Sequence, residues 1–72
     1  MNKKNKIKIV VNGKLLTLNL KFSLKNLIEK LKTPINKVAI ELNEEIVNKK
    51  KLNKIYLKNK DKIEIVHFIG GG

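Results

Sequence analysis

The sequence predicts an α+β domain in which a single helix covers one face of a mixed β-sheet. Two observations point to this class. An early hairpin signal is followed by one amphipathic helix, and apolar residues then alternate in the manner of strands towards the end. The expected order of elements is β-β-α-β-β. No Pro-, Gly- or Ser-rich linker divides the 72 residues, so residues 1–72 are expected to form one domain with a short tail at 69–72.

The first two strands are predicted by the dipeptide Asn12-Gly13 between two apolar runs. A type I′ turn needs positive φ at both central residues, and asparagine and glycine adopt this conformation readily. A two-residue turn also determines the hairpin register, which places the apolar side chains of both strands on one face. The expected pairs are Val11 with Lys14, Ile9 with Leu16, and Ile7 with Leu18.

A helix is predicted to begin after Ser23, whose side chain can cap the first turn. Thr33-Pro34 is expected to end it, because the residue before a proline is disfavoured in the α conformation. Between these limits, apolar residues recur at helical spacing and form the stripe that would cover the hairpin. These residues are Leu24, Leu27, Ile28 and Leu31.

Two further strands are predicted at 38–42 and 63–68, where apolar and polar residues alternate. Between them lie a short apolar pair, Ile46-Val47, and the lysine run 49–51, which is expected to be a solvated loop. Residues 58–61 form the turn before the last strand. The residues expected in the core between helix and sheet are Ile9, Leu16, Leu18, Leu27, Ile28, Leu31, Ile40 and Ile63.

The chain is strongly basic, with a net charge of +11 and no cation other than lysine. Lysine, asparagine and isoleucine share A/T-rich codons, so drift in base composition would produce this profile even without selection for binding. Arginine, which makes the commonest specific contact to guanine, is absent, and aromatic residues are too few for a stacking platform. Nucleic acid is therefore not the expected partner, whereas acidic proteins would meet such a chain faster.

Few residues in this chain are suited to catalysis. There is no cysteine, and the one histidine, His67, cannot build a metal site or a triad alone. A domain of this size has no room for an enclosed cleft. Lys8 interrupts the apolar residues that follow the basic N-terminus, and no stretch is long enough to span a membrane. We expect a cytoplasmic protein that does not associate with a membrane and that binds neither a metal ion nor a cofactor.

The sequence ends in Gly70-Gly71-Gly72. Glycine loses the most backbone entropy on ordering and has no side chain to pack, so this run adds nothing to a folded core. It can form a slim, flexible tail that reaches roughly 10 Å beyond the last strand and presents an unhindered carboxylate. We predict that Gly72 is a chemically modified terminus and that Gly70 and Gly71 lie in a narrow enzyme channel.

The root of this tail contains the predicted partner-binding residues. Side chains alternate along a strand, so Ile63 and Ile65 are expected to point to the helix, and Val66 and Phe68 to the opposite side. An enzyme that grasps the tail must hold the body close to it, and an exposed aromatic side chain is a suitable anchor. Val66, Phe68 and the following Ile69 are therefore the candidate docking residues.

Two segments in the second half resemble a known family. One is residues 38–47, VAIELNEEIV, and the other is residues 61–72, DKIEIVHFIGGG. They resemble the ThiS family of thiamine-biosynthesis sulfur carriers, whose members typically have Ala-x-x-x-Asn-x-x-x-Val, then Asp-x-apolar-x-apolar, then a final Gly-Gly. The chain departs from the family at Asn59-Lys60-Asp61, where members often have Asp-Gly-Asp; Asn59 is a candidate for the left-handed residue of this turn.

The resemblance implies a ubiquitin-like β-grasp fold and a protein cosubstrate rather than an enzyme. A ubiquitin-activating-like adenylyltransferase would join the Gly72 carboxylate to AMP, using ATP and Mg²⁺ that the carrier does not itself hold. A sulfurtransferase or cysteine desulfurase system would supply persulfide sulfur. The resulting thiocarboxylate at Gly72 would then donate its sulfur to thiazole synthase.

Three alternatives stay open from the sequence. The small subunit of molybdopterin synthase has the same tail and thiocarboxylate but a different acceptor, and such chains tend to be longer. A ubiquitin-like conjugated modifier would form isopeptide-linked species. A basic RNA-binding domain would not need its terminal glycines and would bind with a steep dependence on salt.

Overall fold

A computed structural model describes residues 5–68 of the chain. The strands are β1 (Lys6–Val11), β2 (Lys14–Asn19), β3 (Val38–Leu42), β4 (Glu45–Ile46) and β5 (Lys62–His67), and the helix α1 covers Leu24–Lys30. Two 3₁₀ helices are also described, a first at Ile35–Lys37 and a second at Lys49–Lys54. The lysine run at 49–51, predicted to be a loop, therefore begins the second 3₁₀ helix.

The strands form one mixed sheet in the order β2-β1-β5-β3-β4. β1 and β5 are parallel, and the other neighbours are antiparallel. The hairpin has the predicted register, with Val11 opposite Lys14 and with Ile9 opposite Leu16. Its turn residues, Asn12 and Gly13, both have positive φ, as a type I′ turn requires. The predicted α+β architecture is confirmed.

Helix α1 begins as predicted and ends earlier than predicted. The Ser23 hydroxyl accepts a hydrogen bond from the backbone N–H of Asn26, and the Asn26 side chain accepts one from the backbone N–H of Ser23. At the other end, Lys32 has φ +55°, and the N–H groups of Lys32 and Thr33 donate to the carbonyls of Glu29 and Ile28. This pattern is a Schellman motif, which stops the helix before the Thr33-Pro34 signal acts.

The core lies between α1 and the sheet. Six of the eight residues predicted there are buried, and Leu16 is half-buried. The prediction for Leu31 is wrong: its side chain is 39% exposed, because the helix ends at Lys30 and the chain turns away at Leu31. The buried apolar residues are Ile7, Ile9, Leu18, Leu24, Leu27, Ile28, Val38, Ile40, Leu52, Leu57, Ile63 and Ile65.

Within residues 5–68, no helix combines the length and the apolar character that a membrane span needs.

We predict that Leu27 supports the core and that Leu31 does not. Leu27→Ala should lower the free energy of unfolding by about 2–5 kcal/mol, because it leaves a cavity at a side chain with no exposure. Leu31→Ala, the same truncation one turn later on a partly exposed side chain, should lower it by less than about 1 kcal/mol. Urea denaturation of both variants checks this, and equal losses would contradict the burial described above.

Candidate functional site

The glycine tail follows β5, which lies in the middle of the sheet between β1 and β3. On the β3 side, pairing continues to the end of the strand, where Val38 lies opposite His67. One residue further, the Phe68 N–H donates to the Lys37 carbonyl at 2.9 Å. The chain is therefore held by backbone hydrogen bonds up to the residue before Ile69, where the described part ends.

On the β1 side, an asparagine side chain extends the pairing. The backbone pairs of β1 and β5 end with Val11 opposite Ile63. Beyond them, the Asn12 side-chain oxygen accepts from the Ile65 N–H at 2.7 Å, and its amide nitrogen donates to the Ile65 carbonyl at 3.2 Å. The Asn12 side-chain amide thus forms the two hydrogen bonds that the backbone of one more β1 residue would form. The sequence identified Asn12 only as a turn residue, since nothing local indicates a contact 53 positions away.

The start of β5 is held by a second polar junction. Asn43, in the left-handed region with φ +51°, accepts from the Lys62 N–H and donates from its side chain to the Asp61 carboxylate at 3.0 Å. The other Asp61 oxygen accepts from the Lys58 N–H at 2.7 Å, and Asp61 is almost fully buried. These contacts join the two sequence segments that resemble the family, one through Asn43 and the other through Asp61.

The turn at 58–61 departs from one sequence-based expectation. Lys60, not Asn59, adopts the left-handed conformation, with φ +75°. Asn59 instead accepts a hydrogen bond from the Lys8 N–H through its side-chain oxygen at 2.8 Å. A lysine at this φ is less favourable than a glycine by about 1 kcal/mol.

The sheet face away from α1 is exposed and partly apolar; we call it the outer sheet face. Val66 and Phe68 lie on it, with 52% and 49% of their surfaces exposed, while Ile63 and Ile65 are buried on the helix side. The predicted alternation is confirmed. The face continues from β5 across both neighbours, where Ala39 lies opposite Val66 and Leu15 lies opposite Val10 on the hairpin.

Lys49 contacts the aromatic ring at the tail root. Its ammonium nitrogen lies 5.4 Å from the centroid of the Phe68 ring and donates a hydrogen bond to the Ile35 carbonyl at 2.8 Å. A cation over a ring face is attracted to its electron density. Lys49 is half-buried, whereas Lys50 and Lys51 are exposed, so the three lysines of this run have different environments.

Two clefts lie in the described part. One, of about 480 Å³, lies between α1 and the second 3₁₀ helix and is lined by lysines and aliphatic side chains. A second, of about 420 Å³, lies between the hairpin turn and the end of α1, with His67 in its lining. Within residues 5–68, no three acidic, histidine or cysteine side chains are grouped as metal ligands. The predicted site residues Ile69, Gly70, Gly71 and Gly72 lie outside the described residues.

Comparison with known proteins identifies similar sequences. The model of the ThiS family matches residues 9–72, which include β5 and the glycine tail. A thiazole synthase from Paramagnetospirillum magneticum is 38% identical over 66 residues, or 92% of this chain and 20% of that protein. The sulfur carrier protein ThiS of Bacillus subtilis is 49% identical over 35 residues, or 49% of this chain and 53% of that protein. The aligned parts are thus about a fifth and about half of these relatives.

A solved structure is similar over a larger part of both chains. The crystal structure of a thiamine biosynthesis protein, ThiS, from Geobacter metallireducens has a TM-score of 0.80 and 29% sequence identity. The match covers 92% of this chain and 100% of that one. Together with the mixed sheet and its single covering helix, this likeness confirms the ubiquitin-like β-grasp fold.

We predict that Lys49 alone of its run contributes to stability. Lys49→Met keeps the aliphatic stem but removes the charge and the hydrogen bond, so the free energy of unfolding should fall by about 0.5–1.5 kcal/mol. Lys50→Met, on the same 3₁₀ helix, is the matched control and should change it by less than about 0.5 kcal/mol. Denaturation in urea at low salt gives both values, and indistinguishable variants would contradict the Lys49 contacts.

Proposed function

The chain belongs to the ThiS family, and on this basis we propose that it is the sulfur carrier for thiazole formation in thiamine biosynthesis. The observation that carries the proposal is the extent of the family match, which runs through β5 to Gly72. The tail therefore belongs to the matched segment and is not an unrelated extension. The structure supports the proposal by holding the chain firmly up to Phe68, directly before the tail.

The reacting group in this proposal is the Gly72 carboxylate. A carboxylate is a poor electrophile, so it first attacks the α-phosphorus of ATP in line, and pyrophosphate leaves. A persulfide sulfur then displaces AMP, and a second thiol cleaves the acyl disulfide to leave a thiocarboxylate on Gly72. The adenylyltransferase holds ATP and Mg²⁺, and the sulfurtransferase or cysteine desulfurase supplies sulfur. The carrier contributes a narrow tail that brings the acyl group to these reagents.

Thiazole synthase is the proposed acceptor of the sulfur. Its support is that nearly all of this chain aligns with one fifth of a thiazole synthase, the Paramagnetospirillum magneticum protein. A carrier and an acceptor that act in succession gain from being close, since linkage raises the effective concentration of one near the other. This favours thiazole over molybdopterin as the product. Because the activation step consumes ATP, we place the reaction in the cytoplasm.

We predict that the position of the terminal carboxylate is essential. With ATP, Mg²⁺, an activating enzyme and a sulfur source, the chain should gain the mass difference between sulfur and oxygen, as measured by intact-protein mass spectrometry. One alanine added after Gly72 should abolish the gain, because it moves the carboxylate away from the α-phosphorus. One alanine inserted after Met1 gives the same starting mass and should leave the gain intact. Sulfur incorporation into the extended tail would refute the proposal.

We predict that Phe68 anchors the activating enzyme. Phe68→Ala should weaken binding by more than about 1 kcal/mol, because aromatic side chains at the centre of interfaces contribute most to affinity. Leu20 is a suitable control, since it is exposed to the same degree (47% against 49%) and lies beyond β2 at the far edge of the sheet. Leu20→Ala should leave the affinity unchanged. Calorimetry measures both values, and equal losses would contradict the assignment.

A further inference from the structure

The cleft between α1 and the second 3₁₀ helix combines positive charge with apolar surface, and we call it the lysine cleft. Its volume of about 480 Å³ lies within the range of clefts that bind ligands. Ile28 and Leu52 contribute buried side chains to its lining, and Ile35 contributes a half-buried one. The lysines that line it come from α1, from the turn that follows it and from the second 3₁₀ helix, and are Lys25, Lys32, Lys49 and Lys50.

The basic composition of the chain does not by itself account for this concentration of charge. Four of the ten residues that line the lysine cleft are lysines, whereas Lys14 is the single lysine among the nine described residues that line the second cleft. The two clefts have similar volumes, about 480 and 420 Å³. A drift in base composition acts on the whole chain and gives no preference for one cleft. The positive charge is therefore a feature of this particular surface.

The charge of the lysine cleft is only partly balanced within the fold. Glu29 is the acidic residue in its lining, and the Glu29 carboxylate lies 4.0 Å from the Lys25 ammonium. The remaining ion pair within residues 5–68 does not involve this cleft. In this part of the chain, therefore, no carboxylate forms an ion pair with Lys32 or Lys50. Their charges attract an anionic partner from outside the domain.

Positive charge beside aliphatic side chains matches an acidic peptide segment that carries an apolar side chain. The carboxylates of such a segment would pair with the lysines, and its apolar side chain would contact Ile28, Ile35 and Leu52 as water is excluded. An inorganic anion would leave this aliphatic surface in contact with water. A nucleic acid would lack a stacking partner, since none of the described residues that line the cleft is aromatic.

Lys49 connects the lysine cleft with the root of the tail. It lines the cleft, and its ammonium nitrogen lies 5.4 Å from the centroid of the Phe68 ring. The cleft itself is formed on the helix side of the sheet, so a protein bound there leaves Val66 on the outer sheet face accessible. Two proteins can therefore contact the domain at the same time, one on each surface.

We propose that the lysine cleft binds an acidic segment, with an apolar side chain, of the protein that delivers sulfur to Gly72. This inference rests on the proposed function for the identity of the partner. An acyl adenylate hydrolyses when water reaches it, so sulfur has to arrive while the activating enzyme still encloses the tail. The sulfur-delivering protein therefore needs a surface that the activating enzyme leaves free, and the lysine cleft provides it.

Binding is tested first with a peptide, independently of any sulfur chemistry. The probe is a short peptide of alternating glutamate and leucine with blocked ends, titrated into the full-length chain and followed by the backbone amide signals in NMR spectra. The signals of Ile28, Thr33 and Asn53 in the cleft should shift and saturate, while that of Val66 on the outer sheet face should not. Peptides with glutamine in place of glutamate, or serine in place of leucine, should each bind about tenfold more weakly.

Three results of this titration would overturn the proposal. Shifts that spread over all basic surfaces without saturation would show attraction by net charge alone. Equal binding of either control peptide would show that the lysines or the aliphatic side chains of the cleft are not used. Tighter binding of a short uridine oligonucleotide at the same signals would make nucleic acid the occupant.

The role in sulfur delivery is tested with two double variants that lose the same charge. Lys32→Gln with Lys50→Gln changes the lysine cleft and leaves Lys49, which supports the fold, in place. Lys8→Gln with Lys58→Gln changes two exposed lysines that line neither cleft. The rate of thiocarboxylate formation is measured with ATP, the activating enzyme and one of two sulfur sources, either a protein persulfide or sulfide.

Sulfide needs no docking surface, because the hydrosulfide ion attacks the acyl carbon and AMP leaves, which gives the thiocarboxylate directly. The Lys32/Lys50 variant should therefore match the parent chain with sulfide, and should react about tenfold more slowly with limiting protein persulfide. The Lys8/Lys58 variant should stay within about twofold of the parent chain with both sources.

Two results of the rate measurements would overturn the proposal. Equal rates of the parent chain and the Lys32/Lys50 variant with protein persulfide would show that the sulfur-delivering protein does not use the cleft. An equal loss with both sources would show that the lysines act in activation instead. Failure of the proposed function is distinct, since the parent chain would then form no thiocarboxylate from either source, and the peptide titration would still test the cleft.

Discussion

The parallel pairing of β1 with β5 is the constraint on which the rest of the structure depends. It brings strands from opposite ends of the sequence together in the middle of the sheet, so the last strand lies between β1 and β3 instead of at an edge. Val10 and Val11 pair with Lys62 and Ile63, and the Asn12 side chain extends the contact to Ile65. A side-chain amide whose oxygen and nitrogen are both hydrogen-bonded can replace a backbone peptide in this way.

The two faces of the sheet at β5 differ: one is packed against the helix, and the other is exposed. The helix side is closed by α1 and by Leu52 and Leu57, which complete a thin core. The outer side keeps Val66 and Phe68 exposed immediately before the tail. A partner can therefore bind the body of the domain next to the tail without disturbing the packing that holds the domain together. In a domain of this size such a separation matters, because little stability is available to be lost.

The abundance of lysine in this chain extends to backbone positions that favour glycine. Three lysines, Lys21, Lys32 and Lys60, have positive φ, where glycine is the residue of lowest energy. Lys32 occupies the left-handed position of the Schellman motif that ends α1, and Lys60 the tight turn before β5. The hydrogen bonds around these turns hold the backbone at positive φ even though the residue is a lysine. The fold therefore tolerates a lysine-rich composition that makes its turns less stable than glycine would.

The sequence alone determined the elements that depend on neighbours in the chain. The Asn12-Gly13 turn set the hairpin register, Ser23 and the apolar spacing set the start of α1, and the alternation in β5 set which side chains are exposed. Each follows from local geometry, since turn type, capping and side-chain period act over a few residues. The glycine tail was also identified from the sequence alone, as a segment without value for packing.

Only the tertiary structure decided the contacts between distant residues. The exposure of Leu31 was also not predicted, although the hydrogen bonds that end the helix early join close neighbours, because the pattern of apolar residues continues past them. The amide of Asn12 on Ile65 and the ring of Phe68 beneath Lys49 each need two segments brought together by the sheet. The spacing of residues along the chain does not predict these contacts. They depend on the strand order and register of β3, β5 and β1, which arise from packing of the whole domain.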